Sequence, residues 1–241
     1  SFLDDGVIMC GRDSRPSGEM IQNVMMDELV RLGRTVIDCG IVPTPTVQFM
    51  VHNTEAAGGF VVTASHNPIE WNGLKFLRSD STFFHPEDCE NLFSLVDQNI
   101  HIDDAPDSGL VWPEQNAIQK HIISCVSISC IDLNRIQKRK FKVVIDAVNG
   151  AGSNALPVLL DSLGCDVIEL FCEPNGEFAR GTEPLPENLK LLGEMVVKHG
   201  ADAGFAIDPD ADRLAVVNEL GEPLGEEYTL VVASDGYLKD T

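Results

Sequence analysis

Short apolar runs, each ending in a polar loop that bears glycine or proline, alternate along this chain with segments whose apolar residues recur at helical spacing. That alternation predicts an α/β fold built on mainly parallel sheets with right-handed crossovers, and it leaves few other folds open. Val7–Cys10 reads as a buried strand that runs into the polar loop Gly11-Arg12-Asp13-Ser14-Arg15-Pro16-Ser17-Gly18. Ile21, Val24, Met25, Leu29 and Leu32 then predict a helix, with Ser17 placed to cap its start and Gly33 to close its end. Thr35–Cys39 is the next expected strand, Pro43-Thr44-Pro45 opens another helix, and Gly59–Val62 is a third apolar strand. Leu74–Leu77 predicts a further strand and Pro86–Gln98 a helix.

The Asp- and Pro-bearing stretch Ile102–Pro113 reads as a boundary, with a helix over 114–126 leading into a second unit. There the alternation recurs as a strand at Val143–Ile145, a helix at Ser153–Leu163, a strand at Val167–Leu170, a helix at Pro186–His199 and a strand at Gly204–Ile207. The expected architecture is two consecutive αβα three-layer domains with mainly parallel mixed sheets, 1–111 and 112–222; 241 residues suffice for two such cores. No residue-level repeat relates the units. In each, the third apolar strand empties into the least ordinary loop, and open α/β sheets place ligands at the carboxyl ends of their strands.

Charge narrows the partners. Seventeen Lys and Arg stand against 38 Asp and Glu, a formal charge of −21, which argues against nucleic acid or an anionic membrane surface. A small phosphorylated ligand stays open, because a few arginines, backbone amides or one cation can hold a phosphate in an acidic protein. Seven cysteines, an odd number with no Cys-x-x-Cys pair, predict reduced and mostly buried thiols in a cytoplasmic protein. No apolar run approaches a membrane span, and the opening Ser-Phe-Leu-Asp-Asp has no basic leader. Oligomeric state is not legible.

Two loops carry the chemistry. Thr63-Ala64-Ser65-His66-Asn67-Pro68 puts Ser65 at a strand end with His66 beside it. Alone, it reads first as a strand-ending turn shaped by Asn-Pro, and adjacency does not make a Ser–His dyad. Lys75, ten positions on, is placed to return an ammonium to the same rim or to sit solvated at a strand end. The second loop, Asp208-Pro209-Asp210-Ala211-Asp212-Arg213, sets three carboxylates at alternate positions between apolar strands, an arrangement suited to Mg²⁺ if the backbone turns around it. Asp208, Asp210, Asp212 and Glu219 also fall at EF-hand positions 1, 3, 5 and 12. That template fails because Arg213 stands where the turn requires glycine and a strand follows.

Taken together, Gly-Arg-Asp-Ser-Arg at 11–15, Thr-Ala-Ser-His-Asn-Pro at 63–68, Asn-Gly-Leu-Lys ending at Lys75 and Asp-Pro-Asp-Ala-Asp-Arg at 208–213 resemble the α-D-phosphohexomutase superfamily. That superfamily holds phosphoglucomutases, phosphomannomutases and phosphoglucosamine mutases. The resemblance implies an enzyme of the isomerase class that interconverts hexose 1- and 6-phosphates through a phosphoserine at Ser65 and a hexose 1,6-bisphosphate intermediate. It implies one Mg²⁺, held by Asp208, Asp210, Asp212 and a phosphate oxygen on Ser65, with Lys75 as general acid/base and His66 and Arg213 around the transferring group. Arg12 and Arg15 are candidates for the substrate phosphate, and equally candidates for ion pairs that knit the loop, with Asp13 the nearest partner.

The match has departures. The family has four domains; on the resemblance, 223–241 opens the third, whose sugar-recognition loop and the fourth domain's phosphate clamp have no counterpart here, so this chain alone is expected to turn over sugar phosphate poorly. The family's N-terminal Gly-x-Arg-Gly segment is also missing. Arg180-Gly181-Thr182-Glu183-Pro184 looks like the clamp but lacks its serine and precedes the metal motif, and it reads as an ordinary loop of the second unit. Asp-Pro-Asp-Ala replaces the commoner Asp-Gly-Asp-Gly and leaves the metal-binding carboxylates in place. Three rivals remain: a phosphoglucosamine mutase within the family, a phosphatase with Asp208 as nucleophile, which leaves Ser65 and Lys75 unexplained, and a non-catalytic sugar-phosphate or metal-binding fragment.

Overall fold

The computed structural model describes residues 5–98 and 102–240, and the expectation that concerned the opening residues 1–4 falls outside that range. The first sheet has the order β4-β3-β1-β2-β5, built from β1 (Val7–Arg12), β2 (Val36–Ile41), β3 (Ala56–Val62), β4 (Leu74–Arg78) and β5 (Val111–Pro113). All neighbours are parallel except β4, which returns antiparallel along β3. The period of two along β1 sends Met9 to one face, where it packs with Val47, Val51 and Val61. Ile8 and Cys10 go to the other face, with Met26, Phe60 and Val62. Helices α2 (Thr44–His52) and α4 (Ala117–Val126) cover the first face and α1 (Gly18–Arg31) the second. β3, with every residue buried, lies inside the sheet between β4 and β1, and its carboxyl end delivers the Ser65 loop.

The second sheet repeats the plan in the order β7-β6-β8-β9, from β6 (Lys142–Asp146), β7 (Asp166–Leu170), β8 (Ala203–Ile207) and β9 (Leu214–Val217). Again only the strand after the site loop, β9, is antiparallel. Val144, Leu192, Val196 and Ala206 fill one face beneath α7 (Lys190–His199), while Val143, Ile145 and Leu160 pack the other beneath α6 (Leu156–Ser162). In both units, therefore, a buried parallel strand empties into the site loop and an antiparallel edge strand carries the chain back along it.

Several expectations shift. Ser17 has helical backbone angles and makes no side-chain cap; its Oγ instead accepts a bond from Asn72 Nδ2 at 2.9 Å. Val24 is exposed while Gln22 and Met26 are buried, so α1 presents a face rotated from the one its apolar spacing suggested. The helices expected to start at Ser153 and Pro186 each open with a 3₁₀ turn, Ala151–Asn154 and Pro186–Asn188, before the α-helix begins. α5 (Leu133–Arg139) and β5 are additions, each too short to show a period. β5 pairs with β2, and Ala117 of α4 lies in the first core, so the first unit takes up residues beyond 111. α3 (Pro86–Asp97) buries none of its residues, and α8 (Glu226–Asp240) lies in the segment expected to open a third domain. Only Cys10 and Cys39 of the seven free cysteines are fully buried, the other five partly so. No helix among the described residues is long and apolar enough to cross a membrane.

The two units meet closely. Ser14 Oγ donates to the Asn149 carbonyl at 2.7 Å, and Gly176, at φ +73°, lies so near Ser14 that a Cβ there would stand 2.3 Å from its carbonyl oxygen. Gly176→Ala is therefore expected to combine left-handed strain with overpacking and to cost about 1–3 kcal/mol. Calorimetry should show a lower melting temperature; an unchanged trace would mean the units do not pack this way.

Candidate active site

Ser65 sits in the left-handed region at φ +51°, a conformation that a non-glycine residue holds only where its surroundings impose it. Those surroundings are identifiable. Its amide donates to Thr63 Oγ1 at 2.9 Å, and Thr63 Oγ1 donates in turn to Asp13 Oδ2 at 2.7 Å. Beneath the loop, the buried Arg15 guanidinium spends all five of its N–H groups. Nε pairs with Asp13 Oδ2 at 2.9 Å, Nη1 donates to the Pro68 and Trp71 carbonyls at 2.6 and 3.0 Å, and Nη2 donates to those of Ser65 and Asn67 at 2.6 and 2.8 Å. Arg15, expected among the phosphate-binding residues, thus has no donor left for a ligand; it is the peg on which the serine loop hangs. Arg12 donates to the Asp13 carbonyl at 3.2 Å and lies 3.9 Å from Glu19.

The aspartate loop is wound with equal economy. Ala211, at φ +55°, turns the backbone so that the amides of Asp212 and Arg213 both donate to Asp208 Oδ1 at 3.1 Å. The result gathers oxygens of Asp208, Asp210 and Asp212 within 4.8 Å of one another, with Asp208 and Asp210 fully buried. Burial first, and then the charges of Asp210 and Asp212, push the Asp208 carboxyl up to about 8. Asp210 Oδ1 is buried with no hydrogen-bond partner. A buried, unsatisfied carboxylate oxygen is costly, and a cluster of hard oxygen donors is the set a divalent cation such as Mg²⁺ takes, so these residues fit such an ion.

Docking of the two units brings the loops together. Ser65 Oγ lies 3.4 Å from Asp208 Oδ2 and 3.4 Å from His66 Nδ1. The β3–β4 hairpin pairs Lys75 with Val61, and this returns the Lys75 ammonium to the rim, 2.7 Å from Asp210 Oδ2 and 2.9 Å from Asp212 Oδ2. Burial pulls the Lys75 pKa down, but the two carboxylates together outweigh it and hold the ammonium above the ordinary lysine value. Arg213 pairs with Glu183 at 3.1 Å.

Glu183 belongs to the loop 180–184 that was read as ordinary, and the structure corrects that reading. Arg180 forms a buried ion pair with Asp146 at 2.8 Å and donates to the carbonyl of Ile207, the residue before Asp208. Thr182 Oγ1 donates to the carbonyl of His66, across the boundary between the units. Thr44 likewise crosses it, bonding to Asp210 through both its amide and its hydroxyl. Thr44 was legible only as a helix start, and nothing local marks it as facing a carboxylate 166 residues away.

Known proteins are similar to this chain in sequence and fold. Residues 3–101 match the family model described as phosphoglucomutase/phosphomannomutase, alpha/beta/alpha domain I, and residues 119–221 match that for domain II. A Thermococcus kodakarensis protein named "Phosphoglucomutase/phosphomannomutase" is 38% identical over 242 residues, covering 97% of this chain and 51% of its own length. A Methanopyrus kandleri protein named "Probable phosphoglucosamine mutase" is 33% identical, covering 99% and 52%. The crystal structure of a phosphoglucomutase/phosphomannomutase family protein from Burkholderia thailandensis superposes with a TM-score of 0.79 at 26% identity, over 97% of this chain and 51% of that one. The chain thus spans about half the length of the relatives it matches.

Proposed function

Because the chain belongs to the phosphoglucomutase/phosphomannomutase family, we propose that it carries the phosphoserine and cation-binding halves of a phosphohexomutase that exchanges phosphate between the 1- and 6-positions of a hexose. The observation that carries this reading is the approach of Ser65 Oγ to Asp208 Oδ2 at 3.4 Å, across the boundary between two units that share no chain continuity at that point. A divalent cation held by Asp208, Asp210, Asp212 and a phosphate oxygen on Ser65 supplies charge neutralisation to the transferring group.

The chain's own residues supply the rest. Thr63 and Arg15 hold Ser65 in its left-handed turn through its amide and carbonyl, so the backbone that carries the Oγ is fixed at the strand end. In the forward step the bond from phosphorus to Ser65 Oγ breaks as a bond from phosphorus to a sugar hydroxyl oxygen forms, and that hydroxyl gives up its proton to solvent. The departing Ser65 oxygen then needs a proton, and the Lys75 ammonium, kept charged by Asp210 and Asp212, is the group placed at the rim to give it. The bisphosphate then turns over, and in the return step Ser65 Oγ takes the other phosphate as that phosphate's bond to its sugar oxygen breaks; the Ser65 proton goes back to Lys75 and the freed sugar oxygen takes one from solvent. His66, its carbonyl fixed by Thr182, and Arg213, set by Glu183, flank the transferring group. The glucosamine reading of some relatives is compatible with this chemistry, which does not depend on the sugar's 2-substituent. The seven free thiols suit a reducing compartment, and we place the protein in the cytoplasm.

Incubating the chain with glucose 1,6-bisphosphate and Mg²⁺ is expected to leave one phosphate on Ser65, found by peptide mass mapping and absent with EDTA or in Ser65→Ala. Phosphate on Asp208 would point to a phosphatase-type nucleophile instead, and none at all to a binding module; either result overturns the proposal.

A further inference from the structure

Asp210 makes its side-chain contacts on one oxygen only. Oδ2 accepts from Thr44 Oγ1 at 2.6 Å and from Lys75 Nζ at 2.7 Å, while Oδ1 is buried and accepts from nothing. Thr44 is itself fully buried, is the first residue of α2, and comes from the other domain. Its amide also donates to the Asp210 carbonyl at 2.9 Å, so one residue of the first domain holds both the backbone and the carboxylate of Asp210. Two donors converging on Oδ2 fix the plane of the carboxylate, and with Oδ2 spent, Oδ1 is the oxygen left to a ligand.

We infer that Thr44 is a positioning residue that orients the Asp210 carboxylate for a divalent cation from across the domain boundary. This rests on the reading of Asp208, Asp210 and Asp212 as the cation site. Lys75 cannot do the job alone, because its ammonium is shared with Asp212 at 2.9 Å and follows whichever carboxylate moves. The short, buried hydroxyl of Thr44 bonds only to Asp210 among the described residues, so it has no second carboxylate there to follow. A merely structural Thr44 would instead act by holding the two domains together, a role that Ser14 shares through its bond to the Asn149 carbonyl at 2.7 Å.

The test is Mg²⁺ affinity of the whole chain by titration calorimetry, in wild type, Thr44→Val, Thr44→Ser, Ser14→Ala and Asp210→Asn. Valine keeps the amide and the buried shape of threonine and removes only the hydroxyl. The expected result is about 10- to 100-fold weaker binding in Thr44→Val, affinity restored to near wild type in Thr44→Ser, and affinity retained in Ser14→Ala. Unchanged binding in Thr44→Val, no rescue by serine, or a loss in Ser14→Ala as large as in Thr44→Val would each overturn the inference. If wild type binds no Mg²⁺, or Asp210→Asn binds it as well as wild type, the cation site itself falls and the role of Thr44 with it. Circular dichroism of each variant separates these outcomes from failure to fold.

Discussion

Replacing Arg15 with methionine is expected to destabilise the first domain by about 3–5 kcal/mol, the usual cost of removing one partner from a buried ion pair. Both side chains of the Arg15–Asp13 pair are fully buried, so Asp13 would keep a charge that burial already disfavours, with only the residue 15 amide and the Thr63 hydroxyl to meet it. Four carbonyls of the serine loop, those of Ser65, Asn67, Pro68 and Trp71, would each lose the arginine donor at once, with Pro68 keeping the Trp71 amide at 3.0 Å. Urea unfolding followed by tryptophan fluorescence reads this directly, since Trp71 lies in that loop. Arg15→Lys should not rescue it, because one ammonium has three donors where the guanidinium uses five in a fixed fork. A loss below about 1 kcal/mol, the scale of a surface pair, would mean that the loop does not depend on Arg15.

Lys75→Met is expected to slow transfer of phosphate to Ser65 by about 10²–10⁴-fold, the range spanned by loss of a positioned acid or base. The same change should leave Mg²⁺ affinity undiminished and tend to raise it. The Lys75 ammonium lies 2.7 and 2.9 Å from two of the three carboxylates proposed to bind the cation, and its removal leaves Asp210 and Asp212 less compensated. The two measurements thus move in opposite directions, which a general loss of folding could not produce. Transfer at the wild-type rate would remove Lys75 from the proton path. A fall in Mg²⁺ affinity would show that the lysine helps to build the cation site rather than to share its oxygens.

The strand-loop motifs were legible because they are local. The Asp208–Asp212 triad announces itself by contiguity at the end of an apolar strand, whereas Ser65 and Lys75 were read through their joint occurrence with it, each loop being a short stretch that sequence displays whole. The helices with a full apolar period were likewise readable, but their edges were not. A 3₁₀ turn before α6 and α7, the three-residue β5 and the seven-residue α5 are all shorter than the period that would reveal them. The role of Arg15 was left open, and the 180–184 loop misjudged, for a different reason. An arginine in a Gly-Arg-Asp-Ser-Arg loop has the same chemistry whether its donors meet a ligand or four carbonyls 50 to 56 residues away, and only the packed chain shows which.

By itself, then, the sequence determined the alternation of strand and helix, the family, and which side chains have the chemistry of phosphoryl transfer, because periodicity and residue type are properties of short stretches. Only the tertiary structure decided who uses each of those groups. It spent Arg15 on the serine loop, drew Thr182 and Glu183 to His66 and Arg213, and set Thr44 against Asp210. Those pairings span up to 166 residues and follow from how two separately packed cores dock, which no local pattern encodes.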